Sequence, residues 1–236
     1  MSHVIHYTPR VAVVGAGNVG ATFAYALLQS GLASEIVLID ANKARAEGEA
    51  MDLNHAVPMV RPCRVWAGSL EDCAGAIVTV VTAGAAQRPG ETRLALAQRN
   101  TDIFRQIIPE IARINPAGII LVATNPVDVL TYVSLRLSGL PQNQVLGSGT
   151  ILDTARFRYL LSQNFGVDAR SVHAYIIGEH GDSEVPAWSL ANIAGMRLQT
   201  FCAANNLGCT DQALDEIFQK TRDAAYHIIE RKGATF

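Results

Sequence analysis

The sequence predicts an α/β protein: a doubly wound parallel sheet with helices on both faces, followed by a smaller α+β unit. Three observations carry this. From residue 10 to about residue 148, short apolar runs of strand character alternate with segments of helical spacing. A glycine pattern, "GAGNVG" at 15–20, stands where the first strand turns into the first helix. Beyond about residue 148 the alternation stops and shorter, mixed elements take over. We therefore expect two domains, 1–148 and 149–236.

In order, "RVAVVGAG" reads as a strand and "VGATFAYALLQSG" as a helix closed by Gly31. "EIVLID" is the second strand, and Asn42 opens the helix "NKARAEGEAMDLNHA". "AIVTVVTAG" and "GIILVATNP" are further buried strands. Between them, "TRLALAQRNTDIFRQIIPEIARIN" has helical spacing across Leu94, Phe104, Ile107 and Ile111. In the second unit a helix at "LDTARFRYLLSQNFG" leads to "SVHAYIIGEHG", then to a mixed segment around "WSLANIAGM". The charged amphipathic helix "TDQALDEIFQKTRDAAYHIIERKG" follows.

Composition narrows the function classes. With 236 residues, 49% of them hydrophobic and 17% charged, the chain can bury a sizeable core and is not a disordered one. A net charge of −2 without a basic stripe argues against nucleic acid. The longest apolar runs are too short to cross a bilayer, and "MSHVIHYTPR" lacks the order of a signal peptide, so the expected home is the cytoplasm. Cys63, Cys73, Cys202 and Cys209 show no CxxC pairing and read as free thiols. His3 and His6 on a frayed terminus carry little weight, so no metal site is expected.

The glycines define a phosphate-binding end. Gly15 allows the turn, Gly17 lets backbone approach a pyrophosphate, and Gly20 permits close helix–sheet packing. The helix start adds free N–H groups and partial positive charge. Asp40, 20 residues beyond Gly20, can accept both hydroxyls of an adenosine ribose and would repel a 2′-phosphate, which favours NAD over NADP. The competing reading makes Asp40 the cap of the next helix.

Polar clusters follow several strand ends, where open α/β sheets bind ligands. "TAGAAQRPGETR" holds Gln87, Arg88, Glu91 and Arg93, and "TNPVD" places Asn125 before Pro126. In "LDTARFR", Asp153 and Arg156 share a helix face while Arg158 turns elsewhere. Hydride transfer to a carbonyl needs a proton donor, and His180 in "IIGEHGDSEVP" suits that task. Asp153 would fix its tautomer, Arg156 would clamp a substrate carboxylate through two parallel bonds, and Arg93 on its loop would polarise the carbonyl oxygen. Alternatively, His180 braces its turn through Glu179 or Asp182, and Asp153–Arg156 is an ordinary helix pair.

Taken together, "GAGNVG", "LID", "PGETR", "TNPVD", "LDTARFRYL" and "IIGEHGDSEVP" resemble the lactate branch of the lactate/malate dehydrogenase family, from Arg10 to Phe236. The resemblance implies a Rossmann-type domain, then an α+β catalytic domain, usually assembled as a homotetramer. It implies that His180 is the proton donor and acceptor, Asp153 its partner, Arg156 the carboxylate clamp and Arg93 the closing arginine. It implies a cis Asn125–Pro126 step, with Asn125 near substrate and nicotinamide. Gly84, Ala85, Ser148, Val19, Asp40 and Lys43 fall at further cofactor contacts.

Gln87 separates the branches, because malate dehydrogenases that resemble this chain carry arginine there for a second carboxylate. A guanidinium facing pyruvate's methyl group would be unpaired, so glutamine favours pyruvate over oxaloacetate. Thr235 matches the small residue closing a lactate-type pocket. Arg158 and His173 match positions where bacterial relatives bind fructose 1,6-bisphosphate between subunits.

The chain stops at Phe236, where the family continues into a further helix, a strand pair and a terminal helix. The expectation is a partial sequence or an engineered truncation, leaving apolar surface exposed on the second unit. The competing functions are malate dehydrogenase and, in another class, a nucleotide-binding fragment without turnover.

Overall fold

Alternate residues of the central strands enter two separate cores, which is the physical basis of the layered first unit. In a computed structural model that describes residues 9–85 and 92–235, β1 is Arg10–Val14 and β2 is Glu35–Ile39. Val11, Val13, Ile36 and Leu38 face one core, while Ala12, Val14, Val37 and Ile39 face the other.

The first face is covered by α1 (Asn18–Ser30) and α2 (Lys43–Ala56). α1 buries Gly20, Ala24 and Leu28 at four-residue spacing, and α2 buries Ala46, Ala50 and Leu53. Gly31 ends α1 with φ 65°, as a C-terminal glycine should. The opposite face is covered by α3 (Arg93–Ile114) and α4 (Val127–Ser138), through Phe104, Ile108, Ile111, Val127 and Leu130. Leu94, expected on the apolar stripe of α3, is instead 80% exposed. It stands in the first helical turn, three turns from the buried Phe104, where the stripe has run past the sheet.

The remaining strands are β3 (Arg64–Ala67), β4 (Val78–Val81), β5 (Ile119–Val122) and β6 (Val145–Gly147). All six pair in parallel in the order β3-β2-β1-β4-β5-β6. The order reverses between β1 and β4, which places a switch point beside the "GAGNVG" turn.

The chain divides into two compact units between Gly147 and Ser148. The second unit contains α5 (Ile151–Phe165), β7 (Val172–His173), β8 (Ile176–Ile177), β9 (Val185–Pro186), β10 (Asn192–Ile193), β11 (Met196–Arg197), α6 (Leu198–Ala204) and α7 (Asp211–Lys232). β8 and β9 form a hairpin, and β7, β10 and β11 a small antiparallel sheet. Its core joins Phe157 and Leu161 of α5 to Leu198, Leu214 and Ile217. Thr210 caps α7 by accepting from the Ala213 N–H, and Gly233 ends it at φ 81°. Among the described residues no helix is long and apolar enough to cross a membrane.

The cysteines correct the sequence reading. Cys202 and Cys209 form a disulfide with their Cα atoms 6.0 Å apart, while Cys63 and Cys73 are free. After α6 the chain doubles back, with the Leu207 N–H donating to the Cys202 carbonyl at 2.9 Å. A spacing of seven residues does not reveal that reversal.

Candidate active site

The two glycines around His180 are required by backbone angle. Gly178 has φ 92° and Gly181 φ 137°, in the region that disfavours a side chain. A Cβ at Gly178 would meet only the Ser183 carbonyl, at 3.8 Å, so conformation decides the residue type there. The loop they shape closes the β8–β9 hairpin, and the Glu184 N–H donates to the Gly181 carbonyl at 3.1 Å.

That hairpin is stitched to α5. Thr150 Oγ1 donates to the Ile176 carbonyl at 2.7 Å, and the Ile176 N–H donates to Thr154 Oγ1 at 3.0 Å. These bonds fix the distance between the His180 loop and the first two turns of α5. Sequence reasoning missed both threonines; their only signal is a Thr-x-x-x-Thr spacing just before and within the helix. Thr154→Val should leave the Ile176 N–H unsatisfied and lower stability by about 1–3 kcal/mol, read from urea unfolding. An unchanged midpoint would show that the stitch is inert.

On α5, Asp153 lies on the core-facing stripe with Phe157 and Leu161 and is buried. Its carboxylate stands in the first helical turn, where the helix dipole favours negative charge. One oxygen, Oδ2, accepts from His180 Nδ1 at 2.5 Å, and the other, Oδ1, accepts from Arg156 Nη1 at 3.1 Å. A paired carboxylate is an acceptor only, so Nδ1 carries a hydrogen and Nε2 is the ring nitrogen that can exchange a proton. The Asp153 bond holds the imidazole's pKa above its ordinary value. Burial opposes this, the charges of Asp153 and Glu184 add to it, and Arg156 subtracts.

The flanking carboxylates have other partners. Glu179 accepts from Ser183 Oγ at 2.9 Å and Asp182 from the Tyr226 hydroxyl at 2.9 Å. Asp153, His180 and Arg156, far apart along the chain, are thus brought together. Glu184, unremarked in the sequence, joins them, with oxygen and nitrogen ligand atoms of Asp153, His180 and Glu184 all within 4.8 Å of one another. Both Asp153 oxygens are already engaged, which makes this a hydrogen-bonded acid–base cluster rather than an open set of metal donors. Arg158 Nη2 turns away to the Ala169 carbonyl at 3.5 Å, and His173 is exposed on β7. Thr235 follows the Gly233 cap of α7, half-buried.

In the first unit, the glycine turn has the form a dinucleotide needs. A Cβ at Gly15, φ 108°, would lie 2.4 Å from the Ala83 backbone nitrogen, and one at Gly20 would lie within 3 Å of the Gly15 carbonyl oxygen. Gly17 has nothing within 4 Å of its Cβ position, and no side chain caps α1. The first N–H groups of a 13-residue helix thus have no side-chain cap, a fit for a pyrophosphate. Val19 and Lys43 are exposed.

Asp40 does not cap α2; Asn42 does, accepting from the Arg45 N–H at 3.2 Å. Asp40 instead accepts from the Ala16 N–H at 2.7 Å and the Asn42 N–H at 2.8 Å, tying the glycine loop to the end of β2. Each carboxylate oxygen keeps a lone pair for a ribose hydroxyl. Beyond β4, the Ala85 N–H donates to the buried Asn100 Oδ1 at 2.8 Å, and Asn100 Nδ2 donates to the Asn125 carbonyl at 2.9 Å. Asn100, which the sequence did not single out, so couples the Gly84–Ala85 loop to Asn125, whose bond to Pro126 is cis. Gln87, Arg88, Glu91 and the Arg93 side chain lie outside the described residues, as do His3 and His6.

A parallel sheet of order 3-2-1-4-5-6 with this turn, followed in the chain by a unit carrying an Asp–His–Arg cluster, defines a dinucleotide-dependent dehydrogenase. Residues 9–147 match the lactate/malate dehydrogenase NAD-binding domain and residues 150–236 its alpha/beta C-terminal domain, and the chain belongs to that family. It is 58% identical over 228 residues to an L-lactate dehydrogenase of Acetivibrio thermocellus, covering 96% of this chain and 72% of that one. With the L-lactate dehydrogenase of Priestia megaterium it shares 55% identity over 231 residues, 97% and 72% of the two chains. The solved minor L-lactate dehydrogenase from Enterococcus mundtii superposes with a TM-score of 0.93 at 44% identity, covering 97% of this chain and 73% of that one. The chain is thus a member of an oxidoreductase family whose cofactor is NAD.

Proposed function

We propose that this chain interconverts pyruvate and L-lactate, with His180 moving the proton. The observation that carries the reading is the single carboxylate of Asp153, which holds the His180 imidazole on one oxygen and the Arg156 guanidinium on the other. A 2-oxo acid presents a carbonyl and a carboxylate one bond apart, and an acid–base group beside a planar cation is the complementary pair. NAD, when bound, supplies or accepts the hydride. His180 Nε2 delivers a proton to the carbonyl oxygen in reduction and withdraws it in oxidation. Asp153 keeps the Nδ1–H tautomer in place and steadies the charged imidazole. Arg156 binds the substrate carboxylate, Arg93 polarises the carbonyl oxygen, and Asn125 contributes to binding substrate and nicotinamide.

Gln87 sets the preference for a methyl group over a second carboxylate. Gln87→Arg should shift the kcat/KM ratio toward oxaloacetate by about tenfold to a hundredfold, the worth of a charge-assisted pair. Following NADH absorbance with pyruvate and with oxaloacetate tests the assignment, on this chain and on one extended at its C-terminus by a relative's segment. Retained preference for pyruvate in Gln87→Arg would contradict the role given to Gln87.

The reading extends to a cytoplasmic homotetramer activated by fructose 1,6-bisphosphate. Arg158 on α5 and His173 on β7 would meet their copies across a two-fold axis, and a bisphosphate would relieve the repulsion. A rate that stays flat as this sugar phosphate is titrated at low pyruvate would contradict it.

A further inference from the structure

Glu184 is the one member of the cluster with no task in the scheme above. It precedes β9 and is 5% exposed, and its Oε1 has no hydrogen-bond partner among the described residues. A fully ionised carboxylate buried with an unbonded oxygen is unfavourable, whereas a carboxylic acid in the same place is tolerated. The charged and titratable groups acting on it come from three elements: His180 on its own loop, Asp153 and Arg156 on α5, and Arg222 on α7. Asp153 disfavours the ionised form of Glu184, while His180, Arg156 and Arg222 favour it.

We propose that Glu184 is a positioning residue for His180, the two side chains sharing one proton near neutral pH, a statement that rests on the acid–base reading of His180. With the proton on the imidazole, Glu184 is ionised and stabilises the cation. With the proton on Glu184, the imidazole is neutral and the net charge of the cluster is the same. No bond other than N–H and O–H changes. Two features support this. Burial, then the negative Asp153, push the Glu184 carboxyl up to about 7, against the pull of His180, Arg156 and Arg222. Glu184 in turn is among the charges that raise the imidazole. Two titratable groups with ligand atoms within 4.8 Å of one another titrate as a pair.

The test is a titration of the full chain by NMR, following the 13C-labelled His180 imidazole, identified by the signal missing in His180→Ala, and the 13C-labelled Glu carboxyls. In the unmutated chain, one Glu carboxyl should titrate near neutrality in steps that coincide with those of His180. In Glu184→Gln that carboxyl should vanish and the His180 midpoint should move downward by about half a pH unit or more. In the pH profile of pyruvate reduction, the descending limb should move downward with it, which a merely structural role would not produce. A Glu184 carboxyl titrating in the ordinary range would overturn the proposal, even if Glu184→Gln failed to fold, and so would an unmoved His180 midpoint. Coupling that persists while His180→Ala keeps full turnover would leave the shared proton standing and remove the acid–base reading instead.

Discussion

His180→Ala is expected to lower turnover by roughly 10²–10⁴-fold, the usual worth of a positioned acid–base group, while NADH binding stays within about twofold. The separation of effects follows from geometry. The glycine turn, Asp40 and the Asn100 bridge lie in residues 10–147, whereas His180 belongs to the second unit. The pH dependence has a definite sign. Asp153 raises the imidazole's pKa, so pyruvate reduction, which needs the protonated form, persists to higher pH than an ordinary imidazole would allow and declines as pH climbs through that raised value. Lactate oxidation, which needs the neutral form, declines as pH falls through it. The pairing also contributes to stability. That contribution is complete below the ordinary imidazole value and is lost as pH rises through the folded-state value. Steady-state rates in both directions, together with NADH titration, check these statements.

Arg156→Lys is expected to weaken pyruvate binding by about tenfold to a hundredfold, with a smaller change in kcat. Lysine keeps the charge, and with it some of the pairing to Asp153, but replaces a planar fork by a point donor. A substrate carboxylate then loses one of two parallel charge-assisted bonds, each worth about 1.5–3 kcal/mol. Arg156→Ala should do more. It leaves the buried Asp153 without one of its two partners, at roughly 3–5 kcal/mol, so stability falls along with binding. Separate measurement of KM, kcat and unfolding midpoint for the two variants distinguishes the roles. Equal kcat loss without a KM change in Arg156→Lys would show that this residue does not grip the carboxylate.

The parts of this molecule legible in its sequence are those fixed by local rules. The continuous apolar runs of β1 and β2, the glycine that ends α1, the Asn42 cap and the Thr-led start of α7 each depend on neighbours a few residues away. Asp153 was also legible, through its three-residue spacing from Arg156 on one helix face and the "LDTARFRYL" resemblance. The contacts that escaped join distant segments through common residue types. Asn100 bridging two loops and Thr154 receiving the Ile176 N–H leave no pattern in a single chain. Glu184 looked like an ordinary loop carboxylate in "HGDSEVP" until the hairpin turned it inward. The Cys202–Cys209 bond was missed for the same reason, because chain reversal after α6 is not written in the spacing.

The His180 imidazole and the Arg156 guanidinium, gathered on one carboxylate, are expected to grip a single 2-oxo acid. A crystal structure with NADH and a non-reducible pyruvate analogue is the decisive measurement. The expected result has the analogue's carbonyl oxygen about 2.6–3.2 Å from His180 Nε2 and its carboxylate paired with both terminal nitrogens of Arg156. An analogue held by one of these side chains while the other faces away would contradict it.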